Sequence, residues 1–339
     1  MSVIHKLIEE IPVAYMRIHG NFEDIAGALE TIKKSVGSKI NGDPIVVHHW
    51  LVQDKDGHDM DICVPVSESI ELGEVKSMIL ESCEAMTMVH RGSYSNINDT
   101  YRLVVKETYS HGLPIAESGR EVLLNFHSEK PEETIIEVQE VLHDWDDRFS
   151  RYLGDVLGED ARSKVLECYA GVTHKSSTKD RAHAVKCAID MLDDIATDDQ
   201  KFEILSQCAH VFPPELIEAM RMVYLETNSI EKVIDAMINA GNYPKFTKEG
   251  NILYSSKQPY NKAAYDKAET REEKMRAYCF CPMIRYNLDE VSSSFCYCGS
   301  GWARRLWEGI LEKPVKVEIV KSLTKDDDEC TFAVYLPEN

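Results

Sequence analysis

The chain has 339 residues, 43% hydrophobic and 28% charged, with a formal net charge of -20 at pH 7. Such a length suits two or three domains rather than one core. The acidity excludes a phosphate-binding surface of clustered Lys and Arg, so no nucleic-acid partner is expected. No apolar run nears the ~20 residues of a membrane span, and the start lacks the basic-then-apolar order of a signal peptide. No membrane partner is therefore expected, and a cytoplasmic location is, with the ten cysteines reduced rather than bridged.

In chain order, an apolar run over 11–18 predicts a strand, followed by a helix over about 22–35 on which Ile25, Leu29 and Ile32 recur at helical spacing. The Asn41-Gly-Asp-Pro44 turn feeds two strands, near 45–52 and 59–66. The pattern then recurs as a strand at 83–90, a helix near 94–110 and strands near 120–126 and 134–141. Ile18-His-Gly-Asn-Phe-Glu-Asp-Ile25 and His90-Arg-Gly-Ser-Tyr-Ser-Asn-Ile97 mark the same point of the two copies. Gly20 and Gly92 suit the turns there because glycine takes positive φ without a Cβ clash.

Residues 1–143 thus read as one domain, a duplicated strand–helix–strand–strand unit whose copies bury their apolar faces on each other. Residues 144–339 read as a second, helix-rich α+β domain. It has helices over about 144–240, loops at 174–180 and 242–244, and an unassigned polar stretch at 251–270. Helices near 262–277 and 300–312 and two closing strands at 315–320 and 330–336 complete it. The fold class expected for the whole chain is α+β.

In strand 59–66 the apolar Met60, Ile62, Val64 and Val66 alternate with Asp59, Asp61, Cys63 and Pro65. Alternation sets the apolar residues against the helices and turns Asp61, and Glu137 on the echo strand, to the other face. If the half-sheets curve around a shared groove, both carboxylates face it; otherwise they lie on a solvated sheet face. Tyr15, Trp50, Tyr94 and Phe126 are the candidate aromatic walls. His48 and His49 are adjacent on one strand, so they point to opposite faces and do not chelate one metal.

Here the sequence resembles the GyrI-like effector-binding domain, through His90-x-Gly92-x-Tyr94 and the Ile-Ile-Glu-Val of 135–138. The resemblance implies a curved antiparallel sheet and a small-molecule groove between the repeats that takes up hydrophobic or cationic compounds. It matches Glu137 to the carboxylate set among aromatics, where charge and cation–π attraction hold an organic cation. Some members are hydrolases of cyclopropane-bearing electrophiles, which makes Glu137 the candidate general base of an alternative reading. Leu123 and Val104-Val105-Lys106 stand where the family often has Tyr and Trp. With no DNA-binding segment before the domain, a sensing role calls for a separate regulatory partner protein.

Cys279-Phe-Cys281 and Cys296-Tyr-Cys298 offer four thiolates as a candidate tetrahedral zinc site, with buried structural cysteines as the alternative. Cys-Tyr-Cys-Gly-Ser-Gly-Trp at 296–302, the Val-Lys-Val-Glu strand and Cys330-Thr-Phe resemble the 4-vinyl-reductase-type ligand-binding domain. That resemblance implies a small hydrophobic ligand and metal-binding cysteines; Ser322 stands where the family often has a further cysteine. A cysteine-based redox or metal sensor is thus a third reading.

Overall fold

A computed structural model describes residues 2–53, 56–68, 73–126, 130–241 and 243–337. It divides into two units, 1–110 with 115–143 and 111–114 with 144–339.

The first unit runs β1 (Ile4–Ile8), β2 (Ile11–Gly20), α1 (Phe22–Val36), β3 (Ile45–Gln53), β4 (His58–Pro65), β5 (Lys76–Leu80), β6 (Cys83–Arg91), α2 (Ile97–Ser110), β7 (Ile115–Asn125) and β8 (Ile135–Leu142). All eight strands form one antiparallel sheet in the order β1-β6-β8-β7-β3-β4-β2-β5. The expected duplication is present, with β2-α1-β3-β4 echoed by β6-α2-β7-β8. Each copy also has a leading strand that the alternation missed. β1 pairs with β6 of the second copy and β5 with β2 of the first, so the repeats exchange strands.

The exchange dictates the curl of the sheet. Only residues 9 and 10 separate β1 from β2, so Ile8 and Ile11 lie within about 11 Å of each other at full extension. Yet those strands stand six places apart in the sheet order, which in a flat sheet is about 29 Å at ~4.8 Å per strand. A strongly curled half-barrel brings them together, and the fold is α+β as expected.

Helix α1 buries Ile25, Ala28, Leu29, Ile32 and Val36, and α2 buries Ile97, Thr100, Val104 and Thr108. Both pack on one face of the sheet, where Val46, Ile62, Ile136 and Val138 are fully buried. Of the two turn glycines only Gly92 has positive φ, at 114°. At Gly20 a Cβ would lie 2.3 Å from Asp24 Oδ2 and push that carboxylate aside. That oxygen accepts from the Asn21 amide at 2.8 Å and closes the first turn of α1. Gly27, exposed inside α1, would carry a Cβ with nothing within 4 Å. Gly27→Ala is therefore expected to stabilise the fold by about 0.5–1 kcal/mol, read as a raised midpoint in urea denaturation.

The second unit is helical through α3 (Trp145–Leu157), α4 (Glu159–Leu166), α5 (Thr178–Ile195), α6 (Asp198–Gln207), α7 (Pro214–Thr227) and α8 (Ile230–Ala240). Then come β9 (Thr247–Glu249), β10 (Ile252–Ser256), α9 (Lys262–Lys267), α10 (Arg271–Tyr278), α11 (Tyr297–Leu311), β11 (Lys316–Lys321) and β12 (Thr331–Tyr335). The closing strands pair as expected, inside a sheet ordered β11-β12-β10-β9. β10 lies in the stretch left unassigned by periodicity. The helix expected over 262–277 is two, because Thr270 caps a fresh start by accepting from the Glu273 amide at 3.2 Å. Of the 242–244 loop, Asn242 lies outside the described residues.

Trp145, Phe149, Leu153, Ile189, Leu192, Ile204, Leu205 and Phe295 centre one core of this unit. Against the expectation of unbridged cysteines, Cys168 and Cys187 form a disulfide. Cys187 on α5 faces the turn that follows α4, which brings the two Cα atoms to 5.7 Å.

Candidate functional site

The sheet register sorts the candidate residues by face. Residues directly opposite on antiparallel strands share a face. Glu121 on β7 is opposite Val46 and Val138, and His48 is opposite Gly119 and Met60. All of these project toward the helices. Asp61 is opposite Arg17 and Val47, and Glu137 is opposite Val89 and Val122, all on the other side.

Glu121 has no solvent exposure. Its Oε1 accepts from Tyr101 Oη of α2 at 2.9 Å and from Tyr94 Oη at 3.3 Å. His48 Nε2 lies 3.2 Å from the same oxygen, off the line of a hydrogen bond. Oε2 is buried without a hydrogen-bond partner among the described residues. An orphaned carboxylate oxygen is costly in a dry interior.

Aromatic rings surround this group. Trp50 stacks on His48 with centroids 4.3 Å apart and meets Tyr101 edge-on at 6.0 Å. Phe22, at the start of α1, stacks on Tyr94 at 3.7 Å and touches Phe126 edge-on at 5.3 Å. His58 donates to or accepts from His48 Nδ1 at 2.8 Å. Burial, then the neighbouring His48, depress the His58 imidazole to about 4, so it is neutral at pH 7. Burial, then the charge of Glu121, push both phenols far above their usual range. They stay protonated and serve as donors.

The expected groove residues therefore divide. Trp50, Tyr94 and Phe126 gather around Glu121. Tyr15, Asp61 and Glu137 do not join them, because their strand positions have the opposite parity. Tyr15 packs against Val13, Ile45, Val47, Cys63 and Leu80 on the far face. Glu137 takes Lys6 Nζ at 2.6 Å and Gln139 Nε2 at 2.8 Å. Asp61 is held by Arg17 Nε at 2.7 Å, Arg17 Nη2 at 2.9 Å and His49 Nε2 at 2.8 Å. His48 and His49 face apart, as their adjacency requires.

Burial alone would raise the Asp61 carboxyl, but the Arg17 and His49 hydrogen bonds outweigh it and bring it to about 2. A depressed carboxylate stabilises the fold above its unfolded pKa of about 4, and that stabilisation is lost as pH falls toward 2. The urea midpoint of the wild type is expected to drop more steeply between pH 4 and pH 2 than that of Asp61→Asn. Equal slopes would show the pair to be without energetic weight.

Sequence reasoning missed Glu121 and Tyr101, and passed over Phe22 and His58 as site residues. One signal was available: Glu121 stands two residues from Leu123 and so shares its strand phase, which turns its carboxyl where an apolar side chain belongs.

In the second unit, Cys279 and Cys281 follow α10, Cys296 precedes α11 and Cys298 lies in its first turn. Among the described residues no three of these thiols lie within 4.8 Å of one another. As placed they do not fit a tetrahedral zinc centre with each sulfur ~2.3 Å from the metal. Helix α11 starts three residues earlier than expected, which puts Cys296 and Cys298 on helical geometry. Ser322 donates to Cys296 Sγ at 3.2 Å. Burial pushes the Cys279 thiol up to about 12 and Cys298 to about 11. A cavity of about 180 Å³ beside Arg271, Lys274 and Tyr278 falls short of the ~300 Å³ of a drug-sized pocket. No helix among the described residues is long and apolar enough to cross a membrane.

Residues 254–339 match a family of unknown function, DUF6144. No curated protein matches the chain. Among solved structures, the C-terminal domain of EcmrR is similar at 16% identity and TM-score 0.38, over 42% of this chain and 96% of that one. SAV2435 bound to tetraphenylphosphonium is similar at 12% identity and TM-score 0.32, over 43% and 97%. A hydrolase from Listeria innocua is similar at 12% identity and TM-score 0.34, over 41% and 91%. Residues 1–139, which form the duplicated, strand-exchanged unit around Glu121, match the GyrI-like small molecule binding domain.

Proposed function

We propose that the first unit binds a hydrophobic organic cation between α1, α2 and the sheet, with Glu121 as its charge partner. The observation that carries this is the buried, unpartnered Oε2 of Glu121 inside a ring of Tyr94, Tyr101, Trp50, Phe22 and Phe126. A cation there satisfies the orphaned oxygen and gains cation–π contact with rings already in place. The net charge of -20 attracts cations over longer range. Binding without conversion makes the protein one that senses or sequesters such a compound, with any output carried by a separate protein.

The test is to titrate the full chain with tetraphenylphosphonium by calorimetry, and to follow a panel of hydrophobic cations and cyclopropane-bearing electrophiles by mass spectrometry. Stoichiometric binding with every compound recovered intact supports a binder. Conversion beyond one equivalent would make it a hydrolase instead, and absence of binding would remove the cation site.

A further inference from the structure

Across the three central strands of the helix-side face, His48, Gly119 and Glu140 lie in one row, directly opposite one another. Glu140 stands two residues along β8 from Val138, the residue opposite Glu121. The two carboxylates are therefore diagonal neighbours on one face, with backbone positions about 7–8 Å apart. Glu140 is 6% exposed, and burial, with no hydrogen bond or ion pair beside it, is the sole influence on its carboxyl. Its charge bears on Tyr101, the phenol that donates to Glu121, so the two acids flank the same ring.

Gly119 leaves the gap in this row. Its φ is not in the left-handed region, so the backbone does not demand glycine there. A Cβ at this position would stand 3.4 Å from Trp50 Nε1 and 3.9 Å from Tyr101 Cε1. The missing side chain leaves a space of about one methyl group beside these two site aromatics, in the row that ends at Glu140.

We propose that the site takes a ligand with two cationic groups on an apolar spacer, one group at Glu121 and the other at Glu140, across Gly119. This rests on the cation-site reading above and deepens it. Two independent features converge on it: the orphaned oxygen of Glu121 and the unpaired, buried carboxyl of Glu140. Burial alone pushes the latter up to about 7. A monocation can answer only one of them.

The test compares para-xylylenediamine with 4-methylbenzylamine, which has the same ring and a single ammonium. Both are titrated into the full-length wild type, Glu140→Gln and Gly119→Ala. A charged hydrogen bond at the second site is worth about 1.5–3 kcal/mol, so the diamine is expected to bind about tenfold tighter or better than the monoamine. That ratio should collapse toward one in Glu140→Gln and fall in Gly119→Ala, where the new methyl takes up the space between the two acids at ordinary contact distances. Equal affinities in the wild type, or a ratio that survives both variants, would overturn the proposal. If tetraphenylphosphonium binds and neither amine does, the two-cation inference falls alone; if none of the three binds, the cation site falls with it.

Discussion

Glu121→Gln is expected to lower tetraphenylphosphonium affinity by about 10- to 100-fold, the ~1.5–3 kcal/mol of an interaction with a charged partner. The substitution keeps the shape of the side chain and its acceptor for Tyr101, so the aromatic ring system is retained and only the charge is lost. Residual binding should come from cation–π and apolar contact with Trp50, Tyr94 and Phe22. Glu137→Gln is the matched control, because Glu137 lies on the opposite face, paired with Lys6 at 2.6 Å. It is expected to leave affinity within about twofold, the effect of a charge that does not touch the ligand. Calorimetry on both variants decides which face holds the ligand: if Glu137→Gln is the damaging change, the site is not the one around Glu121.

Gly301→Ala is expected to be the most destabilising of the small substitutions, at about 3 kcal/mol or more. Gly301 is where α11 crosses α6. An added Cβ would stand 1.9 Å from the Ser206 carbonyl oxygen, 2.7 Å from its carbon and 2.8 Å from Ala209 Cβ. The obstacle is mostly backbone, so no rotamer change relieves it, and the helices must part. Parting them also pulls Arg305 from the Gln207, Ala209 and His210 carbonyls, at 2.8, 3.0 and 3.1 Å. There its guanidinium answers the partial negative charge at the end of α6. Arg304 would lose Ser206 Oγ at 2.9 Å and Glu203 Oε2 at 2.9 Å as well. Trp302 and Trp307 lie on the same helix, so fluorescence-detected urea unfolding reads the change directly. An unchanged midpoint would mean that the crossing has slack the close approach does not suggest.

The duplication was legible because its marks are local: a glycine and then an aromatic at the same point after a strand, ahead of an amphipathic helix. β1 and β5 were not, since edge strands are wetted on one side and the alternation in Ile4–Ile8 is interrupted by His5 and Lys6. Their exchange is a long-range pairing that no window of sequence contains. At the site, parity within a strand was readable, and it separated His48 from His49. Grouping Trp50 with Asp61 needed the register between β3 and β4, which places Asp61 opposite Val47 and out of phase with Trp50. Glu121 was concealed by its own chemistry, since alternation treats a charged residue as outward-facing and here the fold turns it inward. In the second unit, the divided helix at 262–278 turned on one threonine cap, a local signal that periodicity averages away.

The exchanged leading strands give the first unit an architecture that one repeat cannot complete by itself. A lone copy would hold a first strand with no place in its own sheet, and an open edge on its second strand where such a strand belongs. Two identical copies would satisfy each other by trading those strands, so the unit has the topology of an intertwined homodimer joined end to end. It also means that a cut anywhere between Pro65 and Lys76 severs the chain without freeing either half, since each remains laced into the other by a strand.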